Sequence, residues 1–287
     1  MNLVADERLL SQLAKIRKEN VVGLSRDTTA GIPQLHVEVP KDWPKVTLAP
    51  LFDVHIGNKS HDAKLFERHV SWIAETPYVL TFNGGDLIEN ASKYSVGAGV
   101  YEQDYSPDNQ LVVALEEVAS IAHKTIFALP GNHEDRSYVH AGLDVGRWIS
   151  ALLEVPYYSD YCFCTIHFGK QNFHLLAYHG CGGSRTKGGQ VMSARRPVEW
   201  SGPVDILWSG HLHAPNVELK YAQDFDQKTG KAFERNQLIV ISPSYMHYFG
   251  SYAAKKMFPP GSRGLTTVNL YPDGTMDTIV RAKGERK

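Results

Sequence analysis

Thr125-Ile126-Phe127-Ala128-Leu129-Pro130-Gly131-Asn132-His133-Glu134 passes from an apolar run directly into polar side chains. The apolar part has the length and content of a buried strand, and the Pro-Gly pair stops it and turns the chain. Asn132 and His133 are therefore expected to project from the carboxyl end of a sheet, where open α/β folds keep their ligand sites. Asn supplies a neutral oxygen and His a proton carrier. A polar loop cap without chemistry explains this stretch equally well on its own, so the decision falls to the rest of the chain.

Working outward, the preceding segments repeat the pattern. Val46 to Asp53 reads as a strand, with Pro50 arguing against a central position. Leu65, Phe66, Val70, Ile73 and Ala74 share one face of a helix over 61–75. Tyr78 to Phe82 is a β-rich run ending in Asn83-Gly84-Gly85-Asp86, and Leu111 to Ala122 again repeats with a helix period. Strand, helix, strand, helix, strand is the signature of a right-handed parallel βαβ array. Before it, residues 6–19 carry Leu9, Leu10, Leu13 and Ile16 at helical spacing, and 20–45 read as a connecting arm with at most one edge strand. The expected organisation is an N-terminal helix and arm over 1–45, packed on a body over 46–287.

Downstream, a helix is expected over 141–153, then a hairpin of Tyr161 to Phe168 and Asn172 to Tyr178 around Gly169-Lys170-Gln171. Cys162 and Cys164 fall on one side of its first strand and suit a core. Further strands are expected at 205–208, 217–221 and 237–241, with a closing pair at 266–270 and 276–280. The class is α/β, two mixed sheets face to face with helices outside.

Composition narrows the function classes. A chain of 287 residues can bury a substantial core, and 43% hydrophobic with 21% charged residues is ordinary for a globular protein. With 30 Lys and Arg against 31 Asp and Glu there is no global field for nucleic acid or anionic membrane, so such affinity requires a local patch. Three cysteines without metal-ribbon spacing, no leader pattern and no long apolar run point to a cytoplasmic setting and no membrane partner. The sequence carries no signal for oligomeric state.

Five apolar runs end in candidate metal ligands: Asp53 with His55, Asp86, Asn132 with His133, His179, and His211 with His213. Strand alternation places Asp53 and His55 on one side, and His211 with His213 likewise if the strand persists. Any one of these is more often a satisfied polar group than a ligand. Together, carboxylate, carboxamide and imidazole beside glycines that let backbones approach are what a dinuclear site for borderline divalent ions requires.

The ordered blocks Asp53-Val54-His55, Gly85-Asp86, Gly131-Asn132-His133-Glu134, His179-Gly180 and Gly210-His211-Leu212-His213 resemble the calcineurin-like metallophosphoesterase superfamily. The resemblance implies a four-layer α/β-β/α sandwich with the site at its rim. It implies that Asp53, His55 and His213 hold one metal, that Asn132, His179 and His211 hold the other, and that Asp86 bridges. Manganese is the first expectation, with iron, zinc or nickel as alternatives. Metals about 4 Å apart clamp the phosphoryl oxygens while a bridging hydroxide attacks in line, and His133 stabilises the developing charge or protonates the leaving group. Glu134 or Asp135 either orients His133 or is a solvated loop acid.

The protein serine/threonine phosphatases of this superfamily carry an arginine soon after the second-block aspartate, whereas Asp86 is followed by Leu87-Ile88-Glu89-Asn90. The spacing is more similar to bacterial and phage-type phosphodiesterases and repair exonucleases. Arg136, Arg185 and Lys187, with Arg195 and Arg196, form a run that suits the flanking phosphates of DNA, RNA or a dinucleotide, or else is a solvated face. Tyrosines and a phenylalanine over 92–106 and 244–263 either form a rim for bases or pack on the sandwich edge. The expected activity is phosphodiester hydrolysis; the alternatives are a phosphomonoesterase and a binding module on the same fold.

Overall fold

The computed structural model describes residues 20–28, 31–95, 99–184 and 186–283. The expected helix at 6–19 lies outside them.

Twelve strands form two sheets. In chain order they are β1 (Gly23–Asp27), β2 (Gln34–Glu38), β3 (Val46–Leu48), β4 (Val79–Asn83), β5 (Thr125–Ala128), β6 (Tyr161–Phe168), β7 (Gln171–Tyr178), β8 (Ile206–Ser209), β9 (Asn216–Phe225), β10 (Ala232–Ile241), β11 (Arg263–Leu270) and β12 (Met276–Lys283). One sheet runs β1-β2-β6-β7-β8-β10-β9 and the other β12-β11-β3-β4-β5. Both are mixed: β3, β4 and β5 are parallel, as are β7, β8 and β10, while β6–β7, β9–β10 and β11–β12 are antiparallel.

Between the sheets lies one apolar core, with Leu48, Phe82, Phe127 and Val268 facing Leu35, Cys164, Leu175 and Trp208. Helix α1 (Ala63–Glu75) turns Leu65, Phe66, Val70 and Ile73 inward, and α2 (Pro107–Val118) contributes Ala114, Leu115 and Val118. Those side chains cover the outer face of the five-stranded sheet together with Ile149 of α4 (Val145–Leu152). On the outer face of the other sheet Leu176, Leu207 and Ile239 pack near α5 (Lys187–Arg195) and the turn carrying Val198. The result is the expected four-layer sandwich.

Two readings need correction. The arm over 20–45 contributes two strands, and β2 is internal, paired in parallel with β6, because Leu35 and Val37 are buried in the shared core. The stretch after Gly131 is helix α3 (Asn132–Ala141), not a loop; Gly142 at φ 66° ends it, and α4 starts afresh after the Asp144 cap, so no single helix spans 141–153. Gly188 and Gly189 lie in α5, which is capped by the Thr186 side chain. No helix among the described residues is long and apolar enough to cross a membrane.

Candidate metal centre

Parallel pairing sends β3, β4 and β5 in one direction, and their carboxyl ends deliver Asp53, Asp86 and Asn132 to one rim of the sandwich. From the facing sheet β7 and β8, also parallel, deliver His179 and His211 to the same rim. Beyond Leu48 the chain is not a regular strand, but its amides still follow β4: Asp53 N donates to Gly85 O at 3.1 Å and His55 N to Asp86 O at 3.0 Å.

The backbone here adopts a conformation that side-chain-bearing residues seldom take. Asp53, His55, Asp86, His211 and His213 all have φ between 51° and 65°, each at a cost of about 1–3 kcal/mol that the surroundings must offset. Such clustering marks a site where side-chain direction outweighs local comfort. It also corrects the alternation argument. His211 and His213 diverge: His213 Nε2 lies 3.2 Å from both Asp53 Oδ1 and His55 Nε2, whereas His211 Nδ1 lies 2.7 Å from Asn132 Oδ1.

Each carboxylate has one oxygen fixed by backbone and one directed inward. Asp53 Oδ2 accepts from His211 N at 2.8 Å, and Asp86 Oδ1 accepts from His133 N at 2.8 Å. Those approaches explain two glycines: a Cβ on Gly210 would meet Asp53 Oδ2 at 2.5 Å, and one on Gly131 would overlap Asp86 Oδ1. The inward atoms are Asp53 Oδ1, buried without a hydrogen-bond partner although His213 Nε2 is near, and Asp86 Oδ2. Asp86 Oδ2 lies 3.3 Å from His179 Nε2 and 3.8 Å from both His55 Nε2 and His133 Nε2. His179 Nε2 is in turn 3.2 Å from Asn132 Oδ1.

The imidazoles are held from behind. His55 Nδ1 meets Glu89 Oε2 at 3.1 Å, His179 Nδ1 meets Gly84 O at 2.9 Å, and His211 Nε2 meets Gly182 O at 3.0 Å. One nitrogen anchored and the other turned inward is how proteins orient metal-binding histidines. Burial alone would raise the carboxyls, yet His213 and His179 hold Asp53 below the usual range, and His133 and His179 hold Asp86 well below it. Burial lowers His179, but Asp86 and Asp53 lift it to about 10. Ionised inward oxygens, an orphaned Asp53 Oδ1 and pre-oriented imidazoles form a donor set that fits divalent ions. The structure gathers Asp53, His55 and His213 in one cluster and Asp86, His179 and His211 in another.

His133 stands beside them. Its Nδ1 faces a carbonyl, Glu89 O at 2.8 Å, so Nδ1 carries the proton. Its Nε2 faces Arg136 NH2 at 2.9 Å and must accept there, which fixes the neutral tautomer. Burial pushes its pKa down to about 4 against the pull of Asp86. Arg136 is held by Glu89 through NH1, at 2.8 Å from O and 3.3 Å from Oε1.

The sequence reading missed Glu89. Buried at 1% exposure, it also receives Asn58 Nδ2 at 2.9 Å, and although burial alone would raise its carboxyl, His55 and His133 bring it down to about 2. Its one signal was a position three residues after Asp86. Glu134 is neither an orienter of His133 nor a solvated acid: it is buried and accepts the amides of Asp86, Ile88 and Gly131. Asp135 is exposed. Of the expected phosphate-binding residues, Arg136 reaches the centre, Lys187 sits exposed on the first turn of α5, and Arg185 lies outside the described residues. Arg195 meets Glu218 Oε1 at 3.3 Å, so the basic run is partly neutralised.

A scan against protein-family models finds no match. Among curated proteins the chain is similar to the DNA polymerase II small subunit of Thermoplasma acidophilum, 26% identical over 141 residues, or 44% of this chain and 27% of that protein. The chain thus spans about a quarter of that relative's length. Among solved structures it aligns with NAD nucleotidase (NadN) of Haemophilus influenzae at a TM-score of 0.36 and 8% identity, covering 82% of this chain and 49% of the other, a likeness too loose to argue from.

Proposed function

We propose that the chain is a metal-dependent phosphoesterase of the calcineurin-like type that hydrolyses phosphodiesters of nucleic acid or nucleotides. The observation that carries this reading is the convergence of Asp53, His55, Asp86, Asn132, His179, His211 and His213 at one rim, with Asp86 Oδ2 between the two clusters and Asp53 Oδ1 turned inward beside His213. Asp53, His55 and His213 would hold one divalent cation, and Asn132, His179 and His211 the other, shared through Asp86. Bound cations supply Lewis acidity toward a phosphoryl oxygen and toward water.

The chain's own residues do the rest. Glu89, touching His55, His133 and Arg136, sets the angle of the first two and keeps the third from drifting into solvent. With the Nδ1 proton of His133 committed to Glu89 O and Nε2 accepting from Arg136, Nε2 must first take up a proton from solvent before it can give one to the leaving oxygen. Arg136, one hydrogen bond from that nitrogen, places a fixed positive charge beside the departing group. A diester is favoured over a protein phosphomonoester because Leu87-Ile88-Glu89 stands where the protein phosphatases carry arginine. The partial likeness to a DNA polymerase small subunit is in keeping with a nucleic-acid substrate.

The test compares bis-p-nitrophenyl phosphate with p-nitrophenyl phosphate after EDTA stripping and reloading with Mn²⁺. Preference for the diester supports the reading; preference for the monoester moves the chain to the phosphomonoesterases.

A further inference from the structure

Isolated apolar side chains on a surface need no explanation, but Tyr101 and Phe249 are 89% and 88% exposed on segments that flank one strip of chain beside the centre. Residues 57–61 run as a strip just after His55. Lys59 N donates to Glu102 O at 3.0 Å and Asp104 N to Gly57 O at 2.8 Å on one edge. On the other edge His247 N donates to Ser60 O at 2.7 Å and Asp62 N to Tyr245 O at 2.7 Å. Tyr101 and Phe249 thus belong to the two segments that flank this strip.

Lys59 Nζ donates to the backbone carbonyl of Tyr101 at 2.8 Å, and the Phe249 ring is braced edge-on by Tyr248, whose hydroxyl donates to Phe258 O at 2.7 Å. Lys255 Nζ, 3.5 Å from Glu102 Oε1, ties one flank to the other. Lys59, Lys255 and Lys256 are exposed around the pair, the arrangement of amine and ring that suits a polyanion with aromatic faces. Four residues separate Lys59 from His55, at most about 14 Å of chain, which keeps the rings near the centre. The same strip joins the centre directly, since Asn58 Nδ2 donates to the Glu89 oxygen that holds His55.

We propose that Tyr101 and Phe249 form a stacking shelf for unpaired bases of a single-stranded nucleic acid whose scissile phosphate lies at the candidate metal centre. The shelf rests on the phosphodiesterase reading. A ring presented flat to solvent takes the face of any base, and that face is covered in a duplex, so the shelf selects strand state more than sequence.

The test is fluorescence anisotropy on the EDTA-stripped full chain, with a labelled oligothymidylate and an abasic strand of equal length. The wild type should prefer the strand with bases. Phe249→Ala and Tyr101→Ala should each weaken its binding about 5- to 150-fold while changing abasic binding less than about twofold. Phe249→Trp should keep the preference, which separates a lost face from a lost fold. Equal affinity of the wild type for the two strands overturns the shelf, as expected if the rings seat an apolar peptide instead; so do equal losses on both strands. Hydrolysis of bis-p-nitrophenyl phosphate by Mn²⁺-loaded wild type, run alongside, tests the underlying reading separately: turnover without base preference removes only the shelf.

Discussion

The floor of the candidate metal centre and the rim around it hold their polar side chains by opposite means. On the floor side chains are held by backbone amides or a buried acid: Asp53 by the His211 amide, Asp86 by the His133 amide and His55 by Glu89, all three on left-handed backbone. At the rim Lys187 projects from the exposed first turn of a helix, and Arg195 is spent on Glu218. Burial does not by itself make a carboxylate ionised. Glu117 on α2, a partly buried acid with an unpartnered oxygen, is pushed up to about 7 by burial and by Glu67 and Glu116, whereas the more deeply buried Asp53 and Asp86 are held down by histidines. Partners, not depth, set the charge of the floor.

If the floor acts as a unit, its largest effect comes from the shared carboxylate. Asp86→Asn should lower occupancy of both metals and cut kcat/KM on a diester by about a thousandfold, read by metal analysis and steady-state kinetics. His133→Asn should leave metal content intact and slow esters with poor leaving groups by about a hundredfold or more, with less than about tenfold on activated aryl esters. Equal losses on the two ester types would remove His133 from proton transfer. Glu89→Gln keeps the shape but loses the charge behind His55 and beside Arg136, so metal affinity or activity should fall about 10- to 100-fold. At the rim, Lys187→Ala should weaken oligonucleotide binding only about threefold and lower the salt slope by about one at most. A loss as large as that of Glu89→Gln would erase the contrast between floor and rim.

The smallest effect lies away from both. Glu117 has a folded pKa of about 7 above the ordinary 4.5, so the folded state binds the extra proton and ionisation costs stability as pH rises through about 7. Glu117→Gln should therefore stabilise the fold by about 1 kcal/mol near pH 8, after allowance for solvent screening, and by nothing near pH 4. Chemical denaturation at the two pH values checks the sign.

The five blocks that meet at the candidate centre were legible because each ends an apolar run and combines residue types with few other shared uses. The two sheets were legible from the same runs. What stayed hidden has physical causes. The left-handed turns at His211 and His213, which break strand alternation, were not legible, although the division of the two histidines between clusters was what the resemblance implied. Glu89 is one acid among 31 until the fold brings it behind His55. The start of α3 at Asn132 was obscured by Pro130-Gly131, although Glu134 and Asp135 in its first turn suit a helix dipole. The internal position of β2 stayed hidden because its partner, β6, lies far along the chain.

The most direct test is calorimetric titration of the EDTA-stripped wild type and its Asp86→Asn variant with Mn²⁺, followed by turnover of bis-p-nitrophenyl phosphate at each point. A shared centre predicts two ions per wild-type chain, activity that saturates with the second, and loss of both in the variant. One ion per chain, or an Asp86→Asn protein that loads two and turns over normally, would contradict it.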